Sequence, residues 1–323
     1  MNKTYRHALD PKSLTVDSQE AVAVYAEMTR VLEDLVAGTS IQLERYFQPM
    51  SQVDTTTNRD ALRQTMLEQA ARSLQNATWL PRVIRYDDPE RKPVIDAAAK
   101  RPGVSEDELY NVFDSAGFVS HTSKSDRGNE KSWSKYARGL AQFSRYLDDG
   151  GLERVCEAVD VPGTSSWDEI TQLHPGIVHL PDELTKNVYG LGAALSRDFL
   201  KECGCQWLAK PDTHVMNLLV AAELYEQGSL PHLTEEQAAR FFINLAQAIR
   251  TNENYPAVTP YRLDKMVWLI STGRFYLEKD AKGNDLVENY RALLALRMRL
   301  AAHRAGKRVV AQAARTGRSG QLL

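Results

Sequence analysis

The stretch LPDELTKNVYGLGAALSRDFLKECGCQWLAKPDTHVMNLL, Leu180 to Leu219, decides how this chain is read. Pro181, Asp182 and Glu183 favour a helix beginning after Leu180, since proline is preorganised for the first helical turn. Gly190 and Gly192 permit backbone conformations that cost other residues more, so the helix stops there, and a second begins at Ala193 and runs to about Cys203. Helix, Gly-x-Gly turn and helix make a hairpin whose turn offers successive backbone N–H groups at a helix N-terminus. Such a site holds a phosphate without needing a lysine. A tight interhelical turn with no ligand has the same pattern.

Asp212 stands 20 residues after Gly192, follows Pro211, and precedes Thr213-His214-Val215 and an apolar run. That context predicts a helix N-cap, where a short polar side chain accepts from the first-turn amides, and capping alone would explain it. Taken together, Val188-Tyr-Gly-Leu-Gly192 and Pro211-Asp-Thr-His-Val215 resemble the signature of the helix-hairpin-helix (HhH-GPD) base-excision DNA glycosylase superfamily. The resemblance covers about 40 residues of 323, and more loosely Tyr261 to Tyr276, which looks like the late helix packed beneath such sites.

The resemblance implies an all-α fold of two helical lobes, with double-stranded DNA bound across the cleft between them and one base flipped out. It implies that Gly190, Leu191, Gly192 and Ala193 offer amides to a phosphate, that Arg197 and Lys201 on the second hairpin helix support that contact, and that Asp212 faces the flipped nucleotide. Surface solubility is an equally good reading of the two cations. Thr213 and His214 are supporting residues of the following helix. Breaking an N-glycosidic bond builds positive charge on the sugar, so a desolvated carboxylate stabilises the oxocarbenium-like transition state and orients water. The base must first leave the stack, at a cost of a few kcal/mol that damage or mispairing lowers.

One position departs from the bifunctional members. They carry a lysine nucleophile two residues after the second hairpin glycine, where this chain has Ala194, so Schiff-base chemistry is not expected there. Lys186, Lys201 and Lys210 are the nearest amines, Lys210 being close to Asp212 in sequence. No cysteine follows Cys205, so the iron–sulfur ligands of some members are missing, and neither a cofactor nor a metal is expected.

The rest of the chain sets the frame. Lys and Arg number 40 against 42 Asp and Glu, so the net charge of -2 gives no general attraction to DNA, and affinity must come from local groups. Cys156, Cys203 and Cys205 are too few for a disulfide framework, and no apolar run is long enough for a membrane span or signal peptide, so a cytoplasmic location is expected. Apolar residues recur at helical spacing through Ala21–Leu35, Leu62–Leu74, Trp133–Leu147, Leu233–Ile249 and Leu286–Leu300. VIRYDD, near Val83, is the best strand candidate, although the prolines around it suit an irregular connector equally.

Two segments read as loops: Ser120–Lys131, carrying Lys124, Arg127 and Lys131, and Asp160–Pro181, in which Ser166-Trp-Asp-Glu169 is a capping box. The division expected is 1–119, an N-terminal helical lobe; 120–227, the lobe with the hairpin; 228–302, C-terminal helices packing back; and 303–323, a basic, fraying tail. Phe113, Phe118, Trp133, Tyr136 and Trp268 are candidates for a base pocket, and each also fits ordinary core packing.

Three functions fit these residues: a monofunctional DNA N-glycosylase that leaves an abasic site; a phage-type transferase that elaborates a DNA base on the same fold; and a non-catalytic DNA-binding protein that uses the hairpin as a phosphate clamp. All take DNA as partner, none needs a membrane, and a monomer suffices.

Overall fold

A computed structural model of the chain describes residues 17–77, 84–121, 127–210, 235–278 and 292–319. Helices account for most of them: α1 (Ser18–Val36), α2 (Leu43–Tyr46), α3 (Arg59–Leu74), α4 (Arg91–Ala99), α5 (Glu106–Ser115), α6 (Arg127–Tyr146), α7 (Leu152–Asp160), α8 (Trp167–Leu173), α9 (Leu180–Asn187), α10 (Ala193–Cys203), α11 (Glu235–Arg250), α12 (Pro260–Thr272) and α13 (Ala292–Ser319). There is no strand among the described residues, and the described part of VIRYDD, from Ile84 on, is coil and turn. The all-helical expectation therefore holds for the described chain.

Local chemistry explains the helix ends. Asp17 accepts from the Glu20 N–H at 2.8 Å to start α1, and Ser105 and Ser166 each form a reciprocal capping box, with Glu108 and Glu169. Helix α6 begins at Arg127, inside the segment expected to be a loop. Gly128 is the one poor helix former among Arg127, Asn129, Glu130 and Lys131, and it costs about 1 kcal/mol, which the packing of the helix beyond it overrides. Helix α13 likewise continues through Ser319, where a fraying tail from residue 303 was expected.

The chain divides into two units that differ from the expected lobes. One comprises Met1–Phe47, Pro211–Val258 and Arg262–Leu323; the other comprises Gln48–Lys210 with Thr259–Tyr261. Residue 120 is not a boundary, because aromatic rings pack across it: Trp133 on α6 lies 5.1 Å from Phe113 on α5 and 5.4 Å from Phe118. Phe113, Trp133 and Tyr136 are fully buried, and the Tyr136 hydroxyl donates to Ala71 O of α3 at 2.9 Å. These rings form the core of the second unit, not the wall of a pocket. Arg63 binds the same unit together through Asp148, Ser144 and the Lys100 carbonyl.

In the first unit α1 buries Ala21, Val24, Tyr25, Met28, Val31 and Leu32 against α11 and α13. Trp268 meets the edge of Tyr276 at 5.3 Å there. Among the described residues no helix is long and apolar enough to cross a membrane, and no group of His, Cys, Asp and Glu could hold a metal ion.

His121 closes the C-terminal end of α5 through Asp114, with Nε2 2.7 Å from Oδ1. That hydrogen bond holds the imidazole pKa above its ordinary value, against a smaller opposing desolvation. The contribution is therefore full below the ordinary imidazole pKa and is lost as pH rises through the raised folded value. An NMR titration is expected to place the His121 midpoint above that of a free imidazole, with Asp114→Asn returning it. Both side chains are largely exposed, so added salt should shrink the difference.

Candidate functional site

The hairpin has the boundaries that proline and glycine placement suggested. Helix α9 runs Leu180–Asn187 with proline in its first turn, and α10 runs Ala193–Cys203. Ser196 Oγ, fully buried, donates to Leu191 O at 3.2 Å and lies 3.0 Å from Thr185 Oγ1, which ties the two helices together beside the turn. The Leu191 N–H donates to Val188 O at 3.2 Å, and this closure puts Gly190 at φ +91°, where an L side chain would be strained.

Gly192 differs from Gly190. Its φ is -67° and ψ 169°, so it is an ordinary extended N-cap, and a β-carbon built there meets nothing within 4 Å. It caps α10 without a side chain, and the first helical bond is Ser196 N–H to Gly192 O at 2.9 Å. The amides of Ala193, Ala194 and Leu195 thus have no acceptor inside the helix. This shifts the expected amide set. Leu191 is committed to its turn, and the donors at the helix mouth are those after exposed Gly192.

What seats the turn was not legible from the hairpin itself. A β-carbon at Gly139 of α6 would come within 2.6 Å of Tyr189 O, so only glycine lets the turn backbone approach α6 this closely. One helical turn on, Gln142 Oε1 accepts from Tyr189 N–H at 2.7 Å, and the exposed Arg138 lays its guanidinium 4.6 Å from the Tyr189 ring centre. Arg138 is a solvent-facing cation beside the turn, a role the sequence reading gave to α10. The available signal was the pairing of Arg138 and Gln142 at i and i+4 on one face of α6.

Arg197 and Lys201 are not solvent-facing. They are 2% and 4% exposed, so the solubility reading fails, and support of a phosphate from these positions would be indirect. Lys201 Nζ lies 3.5 Å from Asp198 Oδ1, 3.6 Å from Glu202 Oε1 and 5.8 Å from the Tyr261 ring centre. Glu202 Oε2 accepts from Met50 N–H at 3.0 Å, and the Tyr261 hydroxyl donates to Gln48 O at 2.9 Å.

The C-terminal end of α10 is closed by chain from far away. Ser51 and Val53 donate their N–H groups to Glu202 O and Cys203 O at 3.0 and 2.9 Å, satisfying carbonyls that have no partner inside the helix. Gly204 then turns the chain, and Cys205, Trp207, Leu208 and Ala209 run buried, with Trp207 Nε1 donating to Ala158 O at 2.9 Å and Tyr261 N–H to Gln206 O at 3.0 Å. Burial pushes the thiols of Cys203 and Cys205 well up, so they act as packing groups. Lys210 Nζ stands 3.6 Å from Asp198 Oδ1, so the end of this leader is held to α10. Asp212, Thr213 and His214 lie outside the described residues.

Of the loop cations, Lys124 and the Arg127 side chain lie outside the described residues. Lys131 lines an open depression of about 540 Å³ together with Glu106, Asp107 and Glu130, whose carboxylates offset its charge. No family model, curated protein or solved structure matches the chain.

The seat gives a test with opposed signs. Alanine improves helix propensity over glycine by about 1 kcal/mol, yet at Gly139 the clash with a backbone oxygen should dominate, so Gly139→Ala is expected to destabilise by about 1–3 kcal/mol in urea unfolding. Gly192→Ala, with free space and an ordinary φ, should change stability by less than about 1 kcal/mol.

Proposed function

We propose that the chain is a monofunctional DNA N-glycosylase: it anchors duplex DNA by the amides at the mouth of α10, receives a flipped modified or damaged base, and uses the Asp212 carboxylate to stabilise the sugar cation as the base departs. The observation that carries this reading is the hairpin. A closed turn at Gly190 is followed by an uncapped, exposed N-cap at Gly192 and a helix of 11 residues, which together make an anion site from backbone alone.

Two further facts support it. Cys205, Trp207, Leu208 and Ala209 of the leader are buried and Lys210 at its end is paired with Asp198, and two peptide links carry the Asp212 Cα at most about 7 Å beyond the Lys210 Cα. A hydrolytic rather than a lyase route is supported by Ala194 standing where the lysine nucleophile would be, by the burial of Lys201 among carboxylates and by the pairing of Lys210 with Asp198. Exposed Arg138 adds a cation beside the anchored strand without requiring a basic protein overall.

The test is incubation of the purified chain with duplex oligonucleotides carrying alkylated, deaminated, oxidised or bulky modified bases, read as alkali-labile breaks and by mass spectrometry of released material. Free base and an abasic site are expected. A heavier nucleoside with its sugar bond intact would replace excision by group transfer, and no product across the set would remove the enzymatic reading. Asp212→Asn is expected to slow single-turnover excision by about two orders of magnitude or more, the scale of at least about 3 kcal/mol for one electrostatic stabiliser, while unfolding stability changes little because Asn also caps helices well.

A further inference from the structure

Helix α13 carries a charge pattern that the hairpin does not use. Its 28 residues contain Arg or Lys at 297, 299, 304, 307, 308, 315 and 318 and no Asp or Glu, in a chain whose acids outnumber its bases. At 1.5 Å per residue it is about 42 Å long. One face packs on α1, with Ala292, Leu296 and Leu300 buried, and two cations serve that contact: Arg299 pairs with Asp34 and Glu27, and Arg304 with Glu20. Arg297 and Lys307 are exposed. Positions 297, 308 and 315 are separated by 11 and 18 residues from the first, which at 100° per residue keeps them within about 20° of one line along the helix; Arg304, on the same line, is engaged with Glu20, and exposed Lys307 stands about 80° to one side.

We infer that α13 is a second nucleic-acid contact, an acid-free basic helix that binds the DNA phosphate backbone independently of sequence. Charge complementarity identifies the occupant. A second copy of α13 would set arginine against arginine with no acid to relieve it. An anionic membrane surface calls for bulky apolar side chains opposite the cations, whereas between Ala292 and Lys307, where burial is described, the exposed large apolar side chains are Leu294 and Met298 alone and the other exposed apolar positions are alanines. Cations in the last turn of a helix also complement its dipole, but Arg297 and Lys307 lie too far from that end for the effect to reach them. Concentrating positive charge on one helix also explains how a chain of net charge -2 can hold DNA.

The test uses the full chain with Arg297, Lys307, Arg308 and Arg315 all changed to Gln, leaving Arg299, Arg304 and the buried face intact. Fluorescence anisotropy with an unmodified 30-base-pair duplex is read from 50 to 200 mM KCl. Each lost phosphate contact lowers the slope of log K against log salt by about 0.9, so a fall of about 2 to 4 is expected, with affinity at 50 mM KCl reduced by roughly 100-fold or more. An unchanged slope with helix content preserved by circular dichroism would overturn the inference. So would salt-sensitive binding of the parent to phosphatidylserine vesicles without duplex binding, or a loss of self-association with duplex affinity unaltered. The readout needs no excision, so failure to find a released base removes the enzymatic reading and leaves this one standing.

Discussion

The hairpin is useful only because its turn is held, and it is held by a backbone approach. Tyr189 presents its N–H to Gln142 and its carbonyl to the space above Gly139, so both polar groups of one peptide segment are fixed by adjacent turns of α6. A turn of this kind, left on the surface, would sample many orientations and its N–H groups would point at nothing in particular. With α6 as the reference, α10 leaves the turn in one direction.

α10 is also the element to which the rest of the second unit is fastened. Its middle buries Phe199 against Phe143 at 4.9 Å, its Lys201 lies among Asp198, Glu202 and the Tyr261 ring, and its last carbonyls receive N–H groups from residues 51 and 53. An interior lysine is costly unless it is paired, and here the pairing acids lie on the same helix. One helix thus carries an open polar end and a closed, charge-compensated end, which is the polarity that anchoring an anion requires.

Much of this was legible from local chemistry. The start of α9 at Leu180, the start of α10 at Ala193, the capping box at Ser166 and the helical periodicity all depend on residues within a few positions of one another, and they were read correctly. The burial of Arg197 and Lys201 was not, because it depends on tertiary packing; Lys201, for one, lies over the ring of Tyr261, far away in sequence. Gly139 escaped for the same reason, since a lone helical glycine looks like a mild defect until the oxygen that fills its vacancy is known. The core role of Phe113, Trp133 and Tyr136 was one of two readings, and only their mutual distances decide it. The leading acid, Asp212, was reached through motif and spacing and lies outside the described residues.

The bond from Met50 N–H to Glu202 spans 152 positions along the chain, and its neighbours from Ser51 and Val53 span nearly as many. Closing so long a loop costs more entropy than any contact within the hairpin. During synthesis from the N-terminus, residues 50–53 therefore emerge long before their acceptors exist and must stay unmatched until about 150 more residues have followed. The closure at the C-terminal end of α10 is consequently among the last parts of the second unit to form, so a nascent or truncated chain ending just before Glu202 would hold Tyr189 for its seat on α6 while residues 50–53 still lack their acceptors.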